Sequence, residues 1–339
     1  MPWVILTVLV TGLSWVLDLA GLPSPVLFGS LAAGLGYALI APRVPEIPAV
    51  AFTTGQAVLG ASIGATLEPG TLTSLRADWL PVLLSCLVTL LLSVGAGYLL
   101  RLRPGVSTAT GVFSMVAGGA SGIVAIARDL GADDRVVAVV QYLRVLIILV
   151  GMPLVVQVVF RPDDTGSFTF DPEPVPPLWH GLAIAALALL IGLPLARFLP
   201  LPAGALLFPL IVAAVLTGTG VFAGSVPGWL ENLGFALIGL QVGLRFTRES
   251  VKAVASVLPA ATLAILALIV VSAGTGVLLA RATGQSLLDG YLATTPGGLY
   301  AVLATAVGSG SDVTFVLMVQ IARLFVMLFT APLLARLIR

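Results

Sequence analysis

The sequence predicts an all-α integral membrane protein that is built from two tandem repeats. Of its 339 residues, 59% are hydrophobic and only 9% are charged, and the mean hydropathy is +1.14. A soluble chain of this length cannot bury so much apolar surface, so its solvent must be lipid. Twelve apolar segments alternate with short polar connections, and most segments are close to the ~20 residues that a spanning helix needs.

A constant shift along the chain, here called the repeat offset, relates its two halves. It places the Gly-Gly pair at Gly118–Gly119 on a second pair at Gly297–Gly298, and it also aligns many further glycines, prolines and polar residues. The first repeat is therefore predicted at 1–160 and the second at 179–339. An acidic linker with several prolines joins them at 161–178.

The apolar segments follow the same order in both repeats. The first segment begins without a basic region, so we expect a retained membrane helix rather than a cleaved signal peptide. The approximate bounds are 3–20, 23–41, 50–67, 79–100, 105–129 and 135–160 in the first repeat, and 179–198, 202–222, 228–245, 251–281, 286–308 and 312–335 in the second.

The two segments that carry the Gly-Gly pairs, 105–129 and 286–308, decide the topology. If both cross the membrane, the protein has twelve full spans and parallel repeats. If both are re-entrant hairpins that enter and leave on one side, about ten helices span the membrane and the second repeat is inverted.

Lysine and arginine favour the hairpins. Fourteen of these residues lie outside the segments; twelve full spans divide them seven against seven between the two sides, whereas the hairpins divide them eleven against three. Because cytoplasmic loops carry an excess of Lys and Arg, we expect hairpins, with both termini in the cytoplasm and the linker outside.

The Gly-Gly pairs are the predicted hairpin tips. Non-helical backbone persists at membrane depth only where protein buries it or where it lines a water-filled cavity, and the half-helix ends beside it can hold ions or anions. Close helix packing by small residues is the alternative explanation. The predicted binding residues at the tips are Gly118, Gly119, Ser121, Thr294, Thr295, Pro296, Gly297 and Gly298.

Two arginines occupy matching positions deep in apolar segments. Arg144 and Arg323 each lie about ten residues into their segment, near mid-membrane, where an arginine costs about 3 kcal/mol or more. Gln141 and Gln320 precede them on the same helix face. Guanidinium pairs well with carboxylate, sulfonate or phosphate, so these four residues join the predicted substrate site. A structural role, capping the carbonyls of a broken helix, is the alternative.

Groups for catalysis or metal binding are sparse. No carboxylate lies deep in a segment, and Asp133 and Asp312, which match across the repeats, are expected helix N-caps. One histidine and one cysteine are too few for an oxygenase metal site, and no P-loop is present. We therefore expect neither an enzyme nor a bound cofactor. If Na+ or H+ drives transport, the candidate side-chain contacts for a cation are the hydroxyls of Ser114, Ser121, Thr294 and Thr295.

These features resemble the AbrB-type duplicated membrane proteins of bacteria, which are often labelled as ammonia monooxygenases or as regulators. The resemblance covers nearly the whole chain and is carried by the tandem repeat, LPSPVLFGSLAAG at 22–34, LPAGALLFPLIVA at 201–213, the two tips and the paired Gln-x-x-Arg. It implies an integral membrane transporter. The GGxSG tip at Gly118–Gly122 is also similar to hairpins of citrate-type and glutamate symporters, whereas the second tip lacks the last glycine.

The predicted function is secondary active transport of a small anionic organic solute across the bacterial inner membrane. The alternative is a membrane-embedded sensor or regulator that binds a ligand without moving it. The expected partners are the lipid bilayer and the solute, with a homodimer left open. A net charge of +1 gives no indication of nucleic acid binding.

Overall fold

The computed structural model describes residues 2–22, 24–67, 78–116, 127, 130–160, 177–199, 201 and 203–338. Within these ranges all regular secondary structure is helical, as predicted. The helices are α1 (Pro2–Leu19), α2 (Pro25–Ile40), α3 (Ala49–Ala65), α4 (Trp79–Leu100), α5 (Thr108–Met115), α6 (Asp134–Val155, continued by a π-helical turn at Val156–Phe160), α7 (Leu178–Phe198), α8 (Gly204–Gly218), α9 (Gly228–Gly243), α10 (Arg248–Ala253), α11 (Leu258–Thr283), α12 (Leu287–Thr294), α13 (Leu299–Gly308) and α14 (Val313–Ile338).

Five helices in the described part of the chain are long and apolar enough to cross a membrane. They present large apolar side chains outward, and all five tryptophans are exposed as well. Such outward apolar surface suits lipid rather than water. The protein is therefore a multi-pass helical membrane protein. The long helices are Pro2–Leu19, Trp79–Leu100, Asp134–Phe160, Leu178–Phe198 and Leu258–Thr283.

One predicted segment, 251–281, is divided in the structure. A short helix, α10, precedes a turn at 254–257, and the long helix α11 begins at Leu258. Pro259 stands in the first turn of α11, where its missing N–H breaks no helical hydrogen bond.

The chain forms two compact units, and each contains parts of both halves. The first comprises Met1–Leu72 and Arg161–Arg245, and the second comprises Thr73–Phe160 and Phe246–Arg339. The predicted repeats describe correspondence along the sequence and stay a prediction, whereas the units describe which segments pack together.

The first unit is held by close packing between α3 and α8 and between α2 and α9. A Cβ on Gly60 would clash with the carbonyl oxygen of Leu206, and a Cβ on Gly239 would clash with that of Leu27. The repeat offset relates these two contacts, with the roles of the two halves exchanged.

The second unit packs its helices through a comparable pair of contacts. Gly111 on α5 lies against the backbone of Gly97 on α4, and Gly290 on α12 lies against that of Gly276 on α11. The repeat offset relates these two pairs as well. Glycine is required at these four positions because a side chain would separate the helices.

The predicted segment 286–308 is two short helices rather than one. After α12, the chain leaves the helical conformation at Thr295, and α13 begins after Gly298. Gly297 has φ 141° and Gly298 has φ 70°, a region of backbone space that favours glycine. In the other half, α5 ends at Met115, and the predicted tip residues Gly118, Gly119 and Ser121 lie outside the described residues.

Candidate functional site

The candidate site lies within the second compact unit, around the break between α12 and α13. Thr295, Pro296 and Gly297 are buried, while Gly298 is half-buried. The break is therefore largely buried within the protein, whereas the residues at the start of α13 are partly exposed.

Asp289 joins the beginning of α12 to the residues that follow α13. One carboxylate oxygen accepts hydrogen bonds from the Ser286 hydroxyl (2.5 Å) and the Ser286 N–H, and it completes a capping box. The other accepts from the Ser311 hydroxyl (2.7 Å) and the Asp312 N–H (2.8 Å). The two ends of the chain segment 286–312 therefore lie next to each other.

Thr110 makes the corresponding contact in the first half. Its hydroxyl oxygen accepts a hydrogen bond from the Asp133 N–H at 3.0 Å. The beginning of α5 and the beginning of α6 therefore lie side by side. Asp133 and Asp312 also cap α6 and α14 as predicted, because their carboxylates accept N–H groups of the first turn.

Gln141 and Gln320 bind the carbonyl end of the short helix in their own half. The amide of Gln141 donates to the Phe113 oxygen at 2.8 Å. The amide of Gln320 donates to the Leu292 oxygen at 2.8 Å. These partners again match through the repeat offset. Both glutamines satisfy carbonyls that have no partner within the helix.

Arg144 contacts both halves of the chain. Its Nη1 donates to the Met115 oxygen at the end of α5, at 2.6 Å. Its Nε lies beside the second break, because a Cβ built on Gly297 would be 3.1 Å from it. Arg144 is 4% exposed, and within the described part of the chain its buried Nε has no hydrogen-bond partner.

Arg323 is held more completely. Its Nη1 donates to the Thr295 oxygen and its Nη2 to the side-chain oxygen of Gln320. Arg323 is 5% exposed, and its Nε is likewise buried without a partner among the described residues. Both arginines thus bind carbonyls beside a helix end, as the structural interpretation expects, and the Nε of each has no partner among the described residues.

The side chains of Arg144 and Arg323 are both buried. Within the described ranges, no carboxylate forms an ion pair with either of them. Two buried like charges repel each other, and removing each from water costs several kcal/mol. An anion beside either guanidinium would lower this cost.

The predicted hydroxyl ligands already donate within the protein. Ser114 donates to the Thr110 oxygen at 2.6 Å, and Thr295 donates to the Tyr291 oxygen at 2.7 Å. Thr294 points towards α11, where its hydroxyl donates to the Ser272 oxygen at 3.0 Å. Their oxygens still carry acceptor lone pairs.

The structure brings together most of the second-half residues that the sequence indicated and adds Arg144 to them. The part of Asp289 in joining the two ends of the segment was not predicted from the sequence. The available signal was Ser286-x-x-Asp289, which has the spacing of a capping box. The proximity of Arg144 to Gly297 was not predicted either, because a single sequence contains no signal for it.

Known proteins are similar to this chain over almost its full length. Residues 3–339 match the family model AbrB, described as "Transition state regulatory protein AbrB". The chain is 34% identical to "Putative regulator AbrB" of Escherichia coli (strain K12) over 94% of this chain and 90% of that protein. It is 25% identical to "Uncharacterized protein YhjN" of Bacillus subtilis (strain 168), over 94% of this chain and 88% of that protein. The chain therefore belongs to the AbrB family.

Proposed function

We propose that this protein is a secondary active transporter of a small organic anion, which binds at the helix breaks beside Arg144 and Arg323. One observation carries the proposal. The Nε of Arg144 is buried, has no partner among the described residues and lies against the backbone of Gly297. A buried cationic donor facing bare backbone is suited to an oxyanion.

The start of α13 adds a second favourable feature for an anion. The N-cap of this helix is Gly298, and no side chain in the described part of the chain forms a capping hydrogen bond there. The first N–H groups of a helix have no partners within it, and the helix dipole makes this end positive. Helix N-termini bind anions for these reasons. The Arg144 Nε and the α13 N-terminus would therefore bind the same carboxylate, sulfonate or phosphate group.

The lengths of the short helices support a break near the middle of the bilayer. The eight residues of α12 and the ten residues of α13 span about 12 Å and 15 Å. Each is about half of the ~30 Å hydrocarbon core. Substrate sites of secondary transporters lie at this depth, between the ends of discontinuous helices.

Re-entrant hairpins and an inverted repeat are part of the proposal. The contacts of Asp289 with Asp312 and of Thr110 with Asp133 support hairpins, because each joins the start of a short-helix segment to its end. The repeat offset, which relates these contacts, supports the duplication. Hairpins give each repeat five spanning helices, and this odd number inverts the second repeat.

The orientation and driving ion are proposed on the same basis. With hairpins, eleven of fourteen basic residues fall on the side of both termini, which is cytoplasmic by the positive-inside rule. We place the protein in the bacterial inner membrane, with Na+ or H+ as the coupling ion and no catalytic activity. A homodimer is compatible with this scheme.

Uptake into proteoliposomes tests the function. A panel of labelled carboxylates, sulfonates and phosphates should include a solute that accumulates in vesicles with the wild type. Arg144→Ala and Arg323→Ala should abolish its uptake. Arg281→Ala is the matched control, because Arg281 is an exposed arginine in the last turn of α11 and its loss should leave uptake unchanged. Equal uptake by all four proteins would contradict the proposal.

A membrane-embedded sensor is the second candidate. The relative from Escherichia coli carries the word "regulator" in its name, and a sensor needs the same ligand site. The two functions separate in the vesicle assay. A sensor would bind the anion, with loss of binding in Arg144→Ala and Arg323→Ala, but would show no uptake.

A further inference from the structure

We infer that Arg144 and Arg323 act as built-in cations at the carbonyl ends of the broken helices, so that the anion binds without sodium. This inference rests on the proposed transport function and chooses between its two coupling ions. It concerns the negative ends of α5 and α12, whereas the anion would bind at the positive end of α13.

The carbonyl end of a broken helix is a natural cation site. The last carbonyl groups of a helix have no partner within it, and the helix dipole makes this end negative. In secondary transporters, such ends and the unwound backbone beside them coordinate the coupling cation. A sodium ion there would need several free oxygen ligands.

At the end of α5, donors of the protein already bind two of these oxygens. The Phe113 oxygen binds the Gln141 amide, and the Met115 oxygen binds the Arg144 guanidinium. The Gln141 amide also lies within 3.5 Å of the Val116 oxygen. A positive charge and an amide dipole therefore stand where a metal ion would.

The end of α12 is occupied in the same way. The two N–H groups of the Gln320 amide are shared among the oxygens of Leu292, Ala293 and Thr295, at 2.8, 3.2 and 3.3 Å. The Arg323 guanidinium also donates to the Thr295 oxygen. A sodium ion would have to displace these donors and then lie beside a buried guanidinium, and both steps are unfavourable.

The nearby hydroxyls keep acceptor lone pairs, but two hydroxyls alone do not provide the several oxygen ligands that a sodium ion would need. Thr294 and Thr295 donate to carbonyl oxygens of α11 and α12. Their orientation is therefore fixed by helix packing rather than by an ion. A fixed guanidinium supplies the positive charge that a co-transported sodium ion would otherwise bring. Of the two proposed coupling ions, Na+ and H+, this arrangement favours H+.

Thermal unfolding of the purified protein tests this inference without any substrate. The apparent Tm is measured for the wild type, Arg323→Ala and Arg281→Ala in sodium chloride and in choline chloride at equal ionic strength. The measurement is then repeated with guanidinium at 5–20 mM, a concentration on the order of the Kd of a weakly bound small ligand. We expect the wild type to have the same Tm in both salts. Guanidinium should raise the Tm of Arg323→Ala alone, because it fits the vacated position.

Three results would decide against the inference. They are a saturable rise of the wild-type Tm with sodium, a guanidinium response of Arg323→Ala no larger than that of Arg281→Ala, and an anion affinity of the wild type that falls at least tenfold in choline. The last measurement needs no variant, so it decides even if Arg323→Ala does not fold. Any of these results leaves the proposed transport function standing. Absent uptake of every anion, with stability indifferent to sodium, would overturn the function instead.

Discussion

Replacing Gly297 by alanine should weaken anion binding through one added methyl group. The new Cβ would lie 3.1 Å from the Arg144 Nε and 3.4 Å from Cδ1 of Ile148. It would thus crowd the Nε to which the proposed oxyanion binds. Loss of one charge-assisted hydrogen bond costs roughly 1.5–3 kcal/mol, which corresponds to an affinity loss of about 10- to 150-fold.

The backbone cost of this substitution must be separated from its effect on the site. Gly297 has φ 141°, so alanine there also strains the backbone by about 1–3 kcal/mol. Gly310 is the matched control, because it has φ 69° and a Cβ placed on it would meet nothing within 4 Å. Gly310→Ala should lower the apparent Tm while leaving anion affinity unchanged.

Titration calorimetry on folded, detergent-purified protein measures the affinity, and thermal unfolding measures the strain. The reasoning predicts that both variants lose stability and that only Gly297→Ala loses affinity. If Gly297→Ala binds the anion as tightly as Gly310→Ala does, the space beside Arg144 is not the binding position.

Two further predictions concern the hairpins. Asp289→Ala should lower the apparent Tm by more than Asp289→Asn, since asparagine keeps one oxygen for the donors that follow α13; equal Tm values would show that this link contributes nothing to stability. Single cysteines in a Cys86→Ser background should each react with a membrane-impermeant reagent only from the side on which that position is predicted to lie. Reaction of positions 103 and 128 from opposite sides would rule out a hairpin between them. The positions are 103 and 128 on the cytoplasmic side and 165 outside.

The sequence was sufficient for the membrane class and for the location of the second helix break. Apolar segments of spanning length can satisfy their backbone groups only as helices in lipid, so composition and segment length determine the class. The Thr-Thr-Pro-Gly-Gly run at 294–298 combines residues that disfavour helix continuation. The structure ends α12 at Thr294 and begins α13 at Leu299.

The arrangement around the arginines could be predicted only in part. The sequence spacing predicted that Gln141 and Arg144 share one helix face, and likewise Gln320 and Arg323. In the structure, both members of each pair donate hydrogen bonds to carbonyl oxygens at the end of one short helix. The contact of Arg144 with Gly297 depends on how segments from different halves of the chain pack together. Hydropathy and local spacing contain no information about such packing.

The composition of the two compact units could not be foreseen for the same reason. A tandem repeat suggests that each half folds on itself, but the structure packs α3 of the first half against α8 of the second. The glycines at these contacts were visible in the sequence alignment of the halves. Their partners, Leu206 and Leu27, carry no distinctive signal because the contact is to a backbone oxygen.

The affinity of the two arginine variants for the anion tests the central claim most directly. The measurement compares the wild type with Arg144→Lys, Arg144→Ala, Arg323→Lys and Arg323→Ala on protein shown to be folded. The account predicts a loss of about ten- to hundredfold for each alanine variant and only partial recovery with lysine, which keeps the charge but lacks the planar fork. Unchanged affinity in all four variants would contradict it, because the arginines would then be structural and the bound solute would not be recognised by its negative charge.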